Sequence, residues 1–406
     1  MLSFINGRQR FQAIESPLKI VHVITGLNIG GAERLLQAII SGSDPKRFVH
    51  KVVSLTSLGS VGTQLREDGV EVVALGLPSI RAAARHLSNA RKLMARADVV
   101  HTWMYHANLV GSLLARSRTP LLWSIHATYL ERKYTKTTTR LAVWCGKLLS
   151  ASLPDKTIFC SYSSQKFHSD IGYNVSKSAV IENGIDTERF QRLPEARETF
   201  RRAHGFHGRF LIGSTARWHP QKDHTTLLKA FELALRGNRT LHLVLAGEGI
   251  TRQNQALNTL LSDLQITDKV LLLGAVKDIR PVLSALDLFV ISSAYGEALP
   301  LALCEAMACE VPAVATDIGD CAEIVSDCGW VTSPGGFEEM ADAITSAAQQ
   351  SEESRVTMGQ RGRGRIASHY DLLDSILRYE QAYDELHSDL LRRSTRSVST
   401  SLGSLG

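Results

Sequence analysis

The six cysteines of this 406-residue chain, Cys145, Cys160, Cys304, Cys309, Cys321 and Cys328, form no Cys-x-x-Cys pair and no metal-ligand cluster with histidine. They read as free thiols in a reducing compartment, and those in apolar runs read as small core residues. Long apolar runs are missing too. No stretch approaches the length needed to span a bilayer, and the start, where Arg8 and Arg10 follow a broken apolar segment, lacks a signal-peptide core. A cytosolic protein is expected. There is no G-x-G-x-x-G, which excludes the dinucleotide fingerprint. A net charge of +6 and a pI near 9.0 favour anionic partners without choosing among nucleic acid, lipid headgroups and phosphorylated substrates. No nucleic-acid-binding motif accompanies the charge, so nucleic acid ranks lowest. What is present is apolar content, 44% of residues, enough at this length for two domains with a core each.

The stretch that organises the chain runs Ser292-Ser-Ala-Tyr-Gly-Glu-Ala-Leu-Pro-Leu-Ala-Leu-Cys-Glu-Ala-Met-Ala308. The apolar runs on either side, Leu288 to Ile291 and Val311 to Ala315, are short enough to be buried parallel strands, so a strand-to-helix loop and a helix lie between them. Pro300 marks the first helical turn. Leu301 to Ala308 is apolar on every side and is expected inside the domain, yet it carries Glu305, which needs a partner if buried. Glu297 stands before the helix beside Gly296, whose missing side chain allows close approach to the backbone. The amides of Ala298, Leu299 and Leu301, with the positive end of the helix dipole, make an anion site. Carboxylates on both sides of an anion site suit a ligand that also carries hydroxyl groups. Phosphates plus hydroxyls describe a nucleotide-sugar.

Glu297, seven residues and then Glu305, inside Tyr-Gly-Glu-Ala-Leu-Pro…Glu-Ala-Met-Ala, resembles the Glu-x7-Glu motif of the retaining enzymes of glycosyltransferase family 4. The resemblance implies an α/β GT-B fold, two Rossmann-like domains with parallel sheets facing a central cleft. It assigns Glu297 to hydroxyls of the transferred sugar and Glu305 to the ribose of the nucleotide. Arg217 and Lys222 leave the end of a strand, Phe210 to Thr215, in Ala-Arg-Trp-His-Pro-Gln-Lys-Asp, where the family holds the donor diphosphate with an Arg and a Lys. Fixed cations there stabilise the charge that grows on the leaving diphosphate. Families that use a divalent metal for this carry Asp-x-Asp, which is absent here, so no required metal and no cofactor are expected.

Further pieces match in the family's order. His126, in Trp-Ser-Ile-His-Ala, ends a strand and matches a histidine that contacts the transferred sugar. Gly30 and Gly31, in Gly-Gly-Ala-Glu-Arg, resemble the N-terminal loop near the donor diphosphate or the acceptor. Gly247 opens a Gly-Glu-Gly turn similar to the family's Ala-Gly-x-Gly, and Val276 lies in a loop that in relatives approaches the base through its backbone. Asn183-Gly184-Ile185-Asp186 resembles the segment at the family's domain junction, and Asp223 is placed to cap the next helix. His101 and His106 bracket Trp103 and Tyr105 just after a strand, as acceptor-side residues or as packing.

Strands alternating with helical stretches imply parallel sheets covered by helices. The expected division is 1–187 as the acceptor-side domain, 188–370 as the nucleotide-sugar domain, 371–391 as a helix crossing back to the first domain, and 392–406 as a disordered low-complexity tail. From Arg81 to Lys147 the basic residues Arg81, Arg85, Arg91, Lys92, Arg96, Arg116, Arg118, Arg132, Lys133, Lys136, Arg140 and Lys147 are opposed only by Asp98 and Glu131. Within that stretch Lys136 to Leu149 suits either a helix on an anionic membrane surface or one packed on the sheet with solvated charges.

The resemblance implies a hexosyltransferase moving a sugar from a nucleotide-sugar, UDP-linked on family frequency, to a glycan or polyprenyl-linked acceptor at the cytoplasmic membrane face, as in surface polysaccharide assembly. Two rivals share the features: a nucleotide-sugar epimerase of the same fold, which needs no acceptor, and a non-catalytic nucleotide-sugar-binding protein. The first converts donor alone; the second consumes none.

Overall fold

The computed structural model describes residues 16–402 except 29, 78–79, 116–118 and 129–134. The N-terminal arm and Arg116, Arg118, Glu131, Arg132 and Lys133 of the basic stretch therefore lie outside the described residues. The first sheet is built from β1 (Leu18–Ile24), β2 (Phe48–Ser54), β3 (Glu71–Ala74), β4 (Val99–Trp103), β5 (Leu121–Ile125), β6 (Lys156–Phe159) and β7 (Ser178–Val180), in the order β3-β2-β1-β4-β5-β6-β7. The second holds β8 (Phe210–Thr215), β9 (Leu241–Ala246), β10 (Val270–Leu272), β11 (Leu288–Ile291), β12 (Ala313–Thr316) and β13 (Gly329–Thr332), in the order β10-β9-β8-β11-β12-β13. Strand order reverses between β1 and β4 and again between β8 and β11. In open parallel sheets ligands bind beyond the strand ends at such points.

Both faces of the second sheet are buried, and the alternation along its strands shows how. Leu211, Val244, Phe289, Ile291, Ala313 and Ala315 enter one apolar cluster with Leu303 and Met307. Their neighbours Ile212, Leu243, Leu245, Leu288, Val290 and Val314 enter another with Leu227, Phe231 and Met340. Successive side chains point to opposite faces, so a strand apolar at every position feeds two cores at once.

Contacts divide the described chain into two compact units. One comprises the residues up to Ser124, Ser152–Thr157 and those from Tyr379 onward; the other comprises Ile125–Ala151 and Ile158–Arg378. The 187/188 junction falls inside the second unit. There Gly184 passes so close to the start of the last helix that a Cβ would sit 2.3 Å from Leu372 Cα, and Ile185 pairs with Asp371. The charged stretch after it is docked rather than loose. In the Pro194–Ala203 helix, Arg197 and Arg201 both bond the Asp287 carboxylate and the carbonyls just before it.

The C-terminal helix spans Leu372–Leu402 and so runs past 391, where it was expected to end; residues 403–406 of the expected disordered tail lie outside the described residues. The polar Ser, Thr and Arg residues of that segment include no Pro, and the first Gly is Gly403. Nothing in the sequence breaks the helix before that point. In the first unit, Tyr379 and Tyr383 of this helix are fully buried, and Glu380, 3% exposed, accepts from the Asp44 amide at 3.0 Å and from Arg47 at 2.9 Å.

His101 belongs to that packing. It is fully buried, bonds the Tyr383 hydroxyl at 2.9 Å and Ser124 Oγ at 2.6 Å, and lies 4.3 Å from the Trp103 ring. Of the two readings offered for it, the structure selects packing. Beside it Trp103 Nε1 donates to His22 Nδ1 at 3.2 Å, which leaves the His22 proton on Nε2, facing His50 Nδ1 at 3.0 Å. Burial lowers the pKa of both, His50 to about 4.

Candidate active site

β8 and β11 are adjacent parallel strands, with Ile212 opposite Leu288 and Gly213 opposite Phe289. The loops that leave their C-terminal ends, 216–223 and 292–300, therefore emerge side by side. They are stitched together. Ala294 N–H donates to the Gln221 carbonyl at 2.8 Å, Gln221 Nε2 to the Gly296 carbonyl at 3.0 Å, and Ser292 Oγ to the Lys222 carbonyl at 2.8 Å. The fourth link joins side chains: Lys222 Nζ forms a short ion pair with Glu297 Oε1.

Glu297 is 6% exposed, and Ser293 Oγ donates to the same oxygen at 2.5 Å. Its carbonyl accepts from Thr128 Oγ1 at 2.7 Å. Gly319, at φ +62°, passes directly beneath; a Cβ there would sit 2.0 Å from the Glu297 carbonyl oxygen. Arg217 is exposed and donates to Gln221 Oε1 at 3.3 Å. Asp223 caps the His224–Gly237 helix as expected, accepting from the Thr226 amide at 3.2 Å from a left-handed backbone. His219, between the two cations, has its pKa lowered by burial first and then by Arg217 and Lys222, so the loop carries two positive charges rather than three.

The Leu301–Ala308 helix starts at this point. Pro300 is its N-cap residue, one position before the helical turn in which it was expected. As a cap it offers no side-chain acceptor, and among the described residues none accepts from the amides of Ala298, Leu299 and Leu301. Leu303, Cys304, Ala306, Met307 and Ala308 are buried, whereas Glu305 is half-buried. The buried carboxylate read from the apolar run is thus corrected: position 305 turns toward the edge of the core.

His126 follows β5 directly. Its Nδ1 faces Asn183 Oδ1 at 3.1 Å, so the ring proton sits on Nδ1 and Nε2 carries the lone pair. Burial holds its pKa at about 4, the hydrogen bond to Asn183 opposing the shift. The ring is neutral at physiological pH. Asn183, 7% exposed, is its positioning residue.

Gly247, at φ +150°, lies against the first loop: a Cβ would be 2.1 Å from the Ala216 carbonyl, and its amide donates to the Gly274 carbonyl at 2.7 Å. Val276 packs its side chain against the core below the second sheet. Gly30 and Gly31 belong to the other compact unit, Gly30 as N-cap and Gly31 as first residue of the Gly31–Gly42 helix. There the Glu33 carboxyl folds over Gly30, where a Cβ would stand 2.3 Å from its oxygen, and burial raises the Glu33 pKa.

Sequence reasoning missed five residues that hold the site: Ser293 and Thr128 on Glu297, Gln221 between the loops, Asn183 on His126, and Asp320. The last is 6% exposed. Its two oxygens accept from the Tyr162 and Ser163 amides at 3.2 and 3.0 Å, at the start of the Tyr162–Asp170 helix, while its own amide donates to the Ala298 carbonyl at 3.3 Å. Only Asn183 carried a signal, as the first residue of an Asn-Gly turn.

Two family patterns match the sequence: Glycosyltransferase Family 4 over residues 29–189 and Glycosyl transferases group 1 over residues 209–350. The putative glycosyltransferase EpsF of Bacillus subtilis (strain 168) is 28% identical over 323 residues, 74% of this chain and 80% of its own length. An Escherichia coli UDP-Gal:alpha-D-GlcNAc-diphosphoundecaprenol alpha-1,3-galactosyltransferase is 25% identical over 228 residues, 54% of this chain and 58% of its own length. Among solved structures, Anabaena Alr3699/HepE in complex with UDP superposes with a TM-score of 0.79 at 22% identity, covering 91% of this chain and 100% of that one. That likeness shows the fold, GT-B. The two matched patterns divide between the two sheets, the second ending beyond the Leu301–Ala308 helix.

Proposed function

Because this chain belongs to the group 1, family 4 glycosyltransferases, we propose that it transfers a sugar from a UDP-sugar to a hydroxyl of a glycan or polyprenyl-linked acceptor, with retention of anomeric configuration. The reaction serves polysaccharide or glycoconjugate biosynthesis, and the acceptor is met at the cytoplasmic face of the membrane. One observation carries the reading. Arg217, Lys222, Glu297 and the uncapped start of the Leu301–Ala308 helix converge at the β8/β11 reversal through two loops bonded to each other. UDP as the nucleotide is supported by the UDP complex of Alr3699/HepE and by the UDP-Gal in the name of the E. coli relative.

Arg217, Lys222 and the amides of Ala298, Leu299 and Leu301 hold the diphosphate, and Glu305 the ribose. Cations and dipoles already in place when the anomeric carbon–oxygen bond breaks stabilise the charge left on the diphosphate. This is the work a divalent metal does elsewhere, so no metal is required. Glu297 accepts hydrogen bonds from hydroxyls of the sugar as an ionised acceptor. His126 accepts one through Nε2 and, being neutral, adds no charge. The acceptor oxygen attacks from the face the diphosphate leaves. The new carbon–oxygen bond forms as the old one breaks, and the hydroxyl proton passes to a phosphate oxygen of the departing nucleotide.

The test is donor turnover with a panel of glycan and polyprenyl-linked acceptors, with product configuration read by proton NMR coupling at the anomeric carbon. Transfer with retained configuration is expected. Inversion would remove the mechanism, and epimerised donor in place of transfer would remove the reaction.

A further inference from the structure

The Thr137–Leu149 helix buries one side only. Ala142, Val143 and Gly146 are packed, while Leu141, Trp144 and Leu148 are 60%, 57% and 57% exposed. Spacings of three and four residues place those three side chains on one stripe of the helix. A single exposed Leu is ordinary, but three large apolar groups on one stripe form a ridge. Arg140 and Lys147 run along one flank of the ridge at about 100° per residue, and Lys136 stands at its N-terminal end. All three cations are exposed, and none pairs with a carboxylate among the described residues. From Arg132 to Pro154 the sequence has neither Asp nor Glu.

The combination selects its partner. A second copy docked through the same face would bring two sets of uncompensated cations together, since a two-fold interface sets like against like. Nucleic acid would engage the cations and leave Leu141 and Leu148 in water. An anionic bilayer takes both: the apolar groups enter the boundary between headgroups and acyl chains, while the Arg and Lys stems reach outward to phosphates. We propose that this face of the Thr137–Leu149 helix docks the protein on the surface of a bilayer rich in anionic lipid. No nucleotide-sugar is needed for docking, so it stands or falls separately from sugar transfer.

The experiment is co-sedimentation of the full chain with vesicles of phosphatidylcholine, with and without phosphatidylglycerol, across a salt series. The wild type is expected to bind the phosphatidylglycerol vesicles and to release as salt rises, with a blue shift of tryptophan emission that Trp144→Phe removes. Arg140→Glu with Lys147→Glu should weaken partitioning roughly a hundredfold, reversal of each charge exchanging attraction for repulsion. Leu141→Ser with Leu148→Ser should weaken it too, through loss of buried apolar area. Both pairs are exposed, so their melting temperatures should match the wild type and keep the comparison clean. Equal binding to both vesicles, or binding that survives both pairs of substitutions, would overturn the proposal. So would a wild type that ignores vesicles but forms a dimer that the Leu141→Ser, Leu148→Ser variant loses.

Discussion

Lys222 and Glu297, 75 positions apart in the chain, form an ion pair whose shared oxygen, Glu297 Oε1, also accepts from Ser293 Oγ at 2.5 Å. The side chains are 18% and 8% exposed, so the pair is largely withdrawn from water. In the proposed reaction the cation serves the donor diphosphate and the carboxylate the sugar hydroxyls; without donor, the two neutralise each other.

Breaking that pair from one side leaves a buried carboxylate. Lys222→Ala should therefore cost about 3 kcal/mol of stability, and adding Glu297→Gln should recover part of it, as urea denaturation of the single and double variants would show. Sugar transfer should fall by about two orders of magnitude in Lys222→Ala and in Arg217→Ala, with no recovery in the double variant. Stability lost equally with and without Glu297→Gln would mean the two groups are not coupled.

Gly319 and Gly335 both have positive φ, +62° and +73°, but only Gly319 is crowded. Gly335→Ala meets nothing within 4 Å and should cost only the left-handed backbone term, about 1 kcal/mol. Gly319→Ala must also push the Glu297 peptide aside. Its melting temperature should fall further, and transfer should drop at least about tenfold because catalytic geometry tolerates little displacement. Equal behaviour of the two variants in thermal unfolding and transfer assays would contradict the close approach.

Both oxygens of Asp320 accept from helix-terminal amides. Asparagine cannot substitute, because its NH₂ would face one of those N–H groups. Asp320→Asn should be destabilised by about 1–3 kcal/mol, nearly as much as Asp320→Ala. An Asn variant with wild-type melting would show that one oxygen suffices.

Burial lowers the pKa values of His50, His126, His168 and His224 to about 4, and that of His22 well below its ordinary value. Unfolded, these rings titrate near 6.5. Their contribution to stability is therefore complete above that pH and is lost as pH falls toward 4, each ring adding up to about 1.4 kcal/mol per pH unit in that window. Urea denaturation at pH 7, 6 and 5 should show stability falling steeply, and His168→Phe should flatten the slope by one proton. The pH profile of transfer should carry no inflection near 6.5 from His126.

The strands were legible because their apolar runs are short and bounded by turn signals; Phe210–Thr215 and Leu288–Ile291 have the limits read from the sequence. Local chemistry was legible as well, as at the Asp223 cap. What the sequence hid was long-range. Ser293 and Thr128 look like any polar loop residues until the fold brings them to Glu297, and Asp320 until a helix start lands on its carboxylate. His101 stayed open because a strand end beside aromatics looks the same whether it faces a ligand or, as here, lies beneath a helix from the far end of the chain. Ser and Thr in the last segment suggested disorder by composition, where the absence of a helix breaker mattered more.

The most direct test of the central claim, a diphosphate site at the β8/β11 reversal, is a thermal-shift panel of UDP, GDP, ADP and their sugar conjugates with and without EDTA, on the wild type and Arg217→Ala. A ligand at a hundred times its dissociation constant adds about 2.7 kcal/mol, enough to raise the melting temperature by a few degrees. The account predicts such a rise with UDP and UDP-sugars, unchanged by EDTA and lost or much reduced in Arg217→Ala. No shift with any nucleotide, or an equal shift in the variant, would contradict it.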